Sequence, residues 1–121
     1  MFAQAIAMLG LTDPRRGTRV RCRGGIFCHP VALRRTRAWQ AVVQDLSLSG
    51  IGLVSAEGFE PGKVLAVCFP RTVNDVPQPL LMTVAHLEFA SGGLYRMGGA
   101  WSRPLVPAQL QSCLAVLTPV R

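Results

Sequence analysis

Apolar and polar positions alternate with a period of two along most of this chain, which is the pattern of half-buried strands. Arg19, Arg21 and Arg23 alternate with Val20 and Cys22, so Thr18–Leu33 reads as one long strand, or as two strands broken at Gly24-Gly25. Paired glycines at that point predict a bulge or a close backbone approach. Trp39–Asp45 and Ile51–Ser55 form the next pair across a Ser49-Gly50 turn, where Gly50 is expected to supply a positive φ. An almost wholly apolar Val64–Phe69 follows, then Leu80–Phe89 and Leu94–Trp101 joined through Ser91-Gly92-Gly93. The period changes only near the end. Leu110, Cys113, Leu114 and Leu117 stand at i, i+3, i+4 and i+7, one face of an amphipathic helix. Five to seven short strands with many turn glycines and one terminal helix predict an all-β fold, a small antiparallel barrel with a short C-terminal α-helix.

The remaining stretches set the boundaries. Met1–Leu11 is apolar apart from Gln4, but it is too short to span a bilayer and no basic residue precedes it. We read residues 1–12 as an N-terminal arm or short helix ahead of one domain over 13–121, with no transmembrane segment. A chain of 121 residues buries roughly two thirds of its unfolded surface, enough to fold without staples. Arg34-Arg35-Thr36-Arg37 reads as a solvated hairpin turn and Pro70–Pro79 as a loop.

Charge sharpens this picture because it is local. The net charge is +7, and residues 1–37 carry all of that excess, with eight arginines against Asp13; the remainder of the chain is balanced. Such a distribution favours a defined anion site over general attraction to nucleic acid or membrane. Five arginines fall between positions 15 and 23. The guanidinium fork grips phosphate bidentately and also stacks on an aromatic base. Further on, Asp45-Leu46-Ser47-Leu48-Ser49 alternates strictly, which in a strand sends Asp45, Ser47 and Ser49 to one face. An ionised carboxylate is acceptor-only, so Asp45 suits the N1–H and N2 amino donors of a guanine edge.

Arg15-x-x-x-Arg19, followed 26 residues later by Asp45-x-Ser47-x-x-Gly50, resembles the paired signature of PilZ domains, bacterial receptors for the second messenger cyclic di-GMP. Tyr95–Leu105, with its glycines and Trp101, resembles the last strand of that family and its exit toward a helix. The resemblance implies a six-stranded antiparallel β-barrel with the ligand across its outer surface. It further implies Arg15 and Arg19 on phosphates and guanine faces, Arg16 as an auxiliary contact, Asp45 and Ser47 on a guanine edge, and Gly50 shaping the turn. Pro14 stiffens the approach to the first motif.

These residues point to a cytoplasmic cyclic di-GMP receptor or adaptor that passes its signal to a separate effector protein. The ligand is the nucleotide, with no further cofactor and no specific nucleic acid. The alternative is a PilZ-like interaction module whose arginines form salt bridges to a protein and which does not use the nucleotide. A nucleic-acid-binding barrel would interleave aromatics with its arginines, and Arg15–Arg23 contains none. No enzyme is expected. The two histidines and six carboxylates stand singly, without a phosphate loop or a nucleophile–base spacing, and His86 reads as a strand histidine. Cys22, Cys28, Cys68 and Cys113 form no CxxC pair, and Cys28-His29 with Cys22 lacks the second pair of a tetrahedral metal site, so all four read as reduced thiols.

Overall fold

In the computed structural model, which describes residues 19–31, 38–70 and 76–120, six strands close on themselves. They are β1 (Val20–Pro30), β2 (Trp39–Leu46), β3 (Gly50–Ser55), β4 (Val64–Cys68), β5 (Leu80–Ala90) and β6 (Leu94–Trp101). The order around the wall is β1-β2-β3-β6-β5-β4, and β4 pairs back onto β1, every pairing antiparallel. This is the expected six-stranded barrel. The helix α1 (Pro107–Ala115) follows, and then a two-residue strand β7 (Thr118–Pro119) that the sequence pattern did not announce. The arm over residues 1–12, the motif arginines Arg15 and Arg16, and the turn Arg34–Arg37 lie outside the described residues.

The inward positions are the apolar members of each alternation. Ile26, Leu46, Ile51, Leu53, Leu65, Met82 and Met97 meet inside with no exposed surface, and α1 adds Leu110 and Cys113 to the same core. The helix ends two residues short of Leu117, which nonetheless remains buried. It reaches β1 at Gly24, where any Cβ would overlap its side chain. β1 is therefore one continuous strand, and its glycine pair serves both expected purposes: the register with β2 shifts between Arg21 and Gly24, and the backbone there is closely approached. β7 pairs with this same stretch, at Cys22 and Arg23.

Two further bulges decide which side chains face out. Along β2, Ala41 and Val43 point inward, so strict alternation would bury position 45 as well. Gln44 is an extra residue relative to β3, because Val43 pairs with Leu53 while Asp45 pairs with Gly52. The inward set passes from Ala41 and Val43 to Leu46, and Asp45 emerges on the outer wall. On β5, Val84 pairs with Gly99 and His86 with Gly98, so Ala85 is the extra residue there. Met82 and Val84 stay in the core while Ala85 and His86 are both exposed.

Burial also fixes the thiol chemistry. Removal from water pushes Cys22, Cys28 and Cys113 up to about 11, with lesser contributions from Asp45 at Cys22 and from Cys68 at Cys28. At pH 8 roughly one in a thousand of each is thiolate, and the thiolate is the nucleophile. Alkylation of the native protein at pH 8, followed by mass spectrometry, should modify the half-buried Cys68 first and spare the other three until the chain is denatured. Early labelling of Cys22 or Cys113 would contradict this packing.

Candidate functional site

Arg19 immediately precedes β1, and its guanidinium donates to the Asp45 carboxylate, Nη1 to Oδ1 at 2.5 Å. Two positions 26 residues apart in sequence thus meet on the outer wall, brought there by the β1–β2 pairing that sets Arg21 opposite Asp45. The pair is open to water, Arg19 at 51% and Asp45 at 27% exposure. An exposed ion pair of this kind contributes about 0–1 kcal/mol. A polar ligand can displace or share it at little cost to the fold.

The Asp45 carboxylate occupies space left by a missing side chain. A Cβ on Gly52 would lie 2.8 Å from Oδ2 and 3.0 Å from Oδ1, so the carboxylate rests directly over the Gly52 backbone. On one side of Asp45 the wall opens into a cavity of about 540 Å³. Arg21, Arg23, Gln44 and Arg96 give it a polar rim, and Val42, Val54 and Leu94 give it apolar surface. Arg96 is held by two neighbours, Glu88 Oε1 at 2.8 Å and Gln44 Oε1 at 3.3 Å. The result is an amphipathic groove edged by cations, with one carboxylate acceptor at its margin.

Ser47 and Gly50 stand in a different place. The strand stops at Leu46, so the alternation expected through Ser49 does not persist, and Ser47 turns inward with no exposed surface. Its hydroxyl accepts from the Gly50 amide at 3.1 Å and from the Ser49 amide at 3.3 Å, while its own amide donates to the Gly50 carbonyl at 3.0 Å. Ser47 thereby caps the turn that connects β2 to β3, a local side-chain to backbone role suited to serine. Gly50 has no positive φ; those belong to Gly62, Gly92 and Gly93. Glycine is required at position 50 because a Cβ would drive into the carbonyl oxygen of Gly99 on β6.

Sequence reasoning missed what holds this turn from outside. The buried Trp101 indole donates Nε1–H to the Ser47 carbonyl at 3.3 Å, its backbone amide donates to Ser49, and the Leu105 amide donates to Leu48. An aromatic with a single donor at the end of β6 was the available signal.

A family model for the PilZ domain matches residues 13–115, nearly the whole chain. The chain belongs to the PilZ domain family. PilZ domains are as a family cyclic di-GMP-binding adaptor modules rather than enzymes. No curated protein matches this chain. Of the paired PilZ motifs, Arg19, Asp45, Ser47 and Gly50 fall among the described residues; Arg15 and Arg16 do not. Among the described residues no group of His, Cys, Asp and Glu is arranged to hold a metal ion, and no helix is long and apolar enough to cross a membrane.

The division between turn and surface is measurable. Ser47→Ala leaves two amides of a buried turn without their acceptor, a loss of about 1–3 kcal/mol, and Gly50→Ala forces a backbone shift of similar or greater cost. Both variants should melt several degrees below wild type by calorimetry. A Gly50→Ala protein with an unchanged Tm would show that β3 and β6 are not so closely packed there. Gly52→Ala tests the other half: the atoms nearest its Cβ belong to the Asp45 carboxylate, which can swing away, so its Tm should stay closer to wild type than that of Gly50→Ala.

Proposed function

We propose that this PilZ domain is a cyclic di-GMP receptor that reports the second-messenger level to a separate effector protein. The observation that carries the reading is the meeting of Arg19 with Asp45 on the outside of the barrel. It joins a phosphate-gripping, base-stacking cation to an acceptor-only carboxylate, and a guanine nucleotide needs both. Arg15 and Arg19 engage phosphates and guanine faces with Arg16 as an auxiliary contact, and Asp45 accepts from a guanine Watson–Crick edge. Ser47 and Gly50 contribute through the turn that holds Asp45 at its height on the wall. Arg21 and Arg23 add positive potential along the adjacent groove. The setting is cytoplasmic, in keeping with four free cysteines and thiols that burial keeps protonated.

Ligand entry changes the partner of Arg19. Arg19 is paired with Asp45. A guanine edge on the carboxylate takes over that role, and the released guanidinium turns to the phosphate or the base. Arg19 is thereby coupled to occupancy, and a surface that changes with it is what an effector protein reads.

Calorimetric titration with cyclic di-GMP, with GMP and a random oligonucleotide as controls, tests this reading. Arg19→Ala should lower affinity at least about tenfold, since a charge-assisted hydrogen bond contributes roughly 1.5–3 kcal/mol and about 1.4 kcal/mol is a factor of ten. Asp45→Ala is the sharper variant. It makes the protein more positive and frees Arg19, so a simple anion patch would bind as well or better, whereas a guanine reader loses its acceptor. The expected result is binding weakened by about tenfold or more with Tm little changed, because the lost pair is exposed. Unchanged or tighter binding by Asp45→Ala would overturn the assignment, and equal affinity for the oligonucleotide would favour a diffuse basic surface.

A further inference from the structure

Four residues form a transverse row across the outer wall: Asp45 on β2 pairs with Gly52 on β3, Gly52 with Gly98 on β6, and Gly98 with His86 on β5. The two central positions lack side chains, and the two outer ones lean inward over them. A Cβ on Gly52 would strike the Asp45 carboxylate, and a Cβ on Gly98 would lie 2.6 Å from Nε2 of His86 and nearer still to Cε1. Both glycines are buried beneath those side chains, whereas His86 is itself exposed. One strand spacing, about 4.8 Å, separates the glycine under the carboxylate from the glycine under the imidazole.

Each end of the row faces outward because of a bulge. Were Gln44 a regular strand position, Asp45 would continue the inward set of Ala41 and Val43; were Ala85 one, His86 would continue that of Met82 and Val84. Bulges that redirect a side chain concentrate next to binding sites, and these two redirect a carboxylate and an imidazole onto one glycine floor. Among the described residues no hydrogen bond or ion pair engages the His86 ring.

We propose that His86 is a further ligand-contacting residue, its imidazole stacking on the purine whose edge is held by Asp45. This rests on the reading of the wall as a guanine-nucleotide site. A guanine with its Watson–Crick edge on the carboxylate extends across the Gly52–Gly98 step and over the imidazole. The glycines leave that path clear, and a planar π-system on an exposed ring is the contact that stacking requires. Specificity follows from the combination: Asp45 reads the edge, and His86 selects a flat aromatic ring over a bare phosphate.

The test compares wild type, His86→Ala and His86→Phe by calorimetric titration with cyclic di-GMP, and follows the histidine ring protons by NMR during the same titration. The chain holds only two histidines, His29 and His86, so the signals lost in His86→Phe identify the residue. His86→Ala is expected to weaken binding at least about fivefold, with its Tm within a degree or so of wild type because the side chain is exposed. His86→Phe should recover most of that loss, and the His86 signals should move upfield with ligand while those of His29 stay fixed. A wild type that binds while His86→Ala matches it, His86→Phe failing to improve on His86→Ala, or His86 signals unmoved at saturation would each overturn the inference and leave the receptor reading intact. A wild type that binds no cyclic di-GMP would overturn both.

Discussion

One extra residue in β2 determines what this barrel presents to its surroundings. A strand carries its side chains alternately in and out, and closing six such strands fixes the register of every one. Gln44 breaks that alternation once, between Val43 and Asp45. Leu46 enters the core and Asp45 leaves it. Burial of an unpaired carboxylate in place of Leu46 would cost several kcal/mol or shift the group to its neutral form, so fold and site both depend on the bulge. Ala85 performs the same inversion on β5, where Val84 remains inside and His86 goes out.

The short motif between Asp45 and Gly50 divides its work by depth. Asp45 stands at the surface beside Arg19, while Ser47 is fully buried and ties its hydroxyl to the turn amides. Gly50 brings β3 against the backbone of β6, and Trp101 reaches back to the Ser47 carbonyl. Asp45 thus stands near the end of a strand that runs into a turn held from three directions.

Glycines do related work farther along the wall. Gly52 and Gly98 give Asp45 and His86 room to lie down on the sheet, and Gly24 admits Leu117 where the chain leaves α1. Each acts through close approach. The left-handed backbone that glycine also permits is used at Gly62, Gly92 and Gly93, in the turns. Several of the chain's glycines therefore shape surfaces by omission.

The sequence by itself determined the class of fold, the order of its strands along the chain and the family. Period-two alternation and turn composition are local signals, and the paired motifs carry their own spacing, so the strand limits fall within three residues of those read from the pattern. The end of α1 also departs, because apolar spacing continued to Leu117 while the helix stopped at Ala115. What each motif residue does was decided only in three dimensions. Alternation alone grouped Asp45, Ser47 and Ser49 on one face, but the strand ends at Leu46 and Ser47 turns inward. A bulge is defined by two strands against each other, so neither Gln44 nor Ala85 announces itself in a single line of sequence. The neighbours of Asp45 and His86 were beyond reach for the same reason: β2 and β5 meet the glycine floor only because β3 and β6 lie side by side, and that adjacency is a property of the closed sheet.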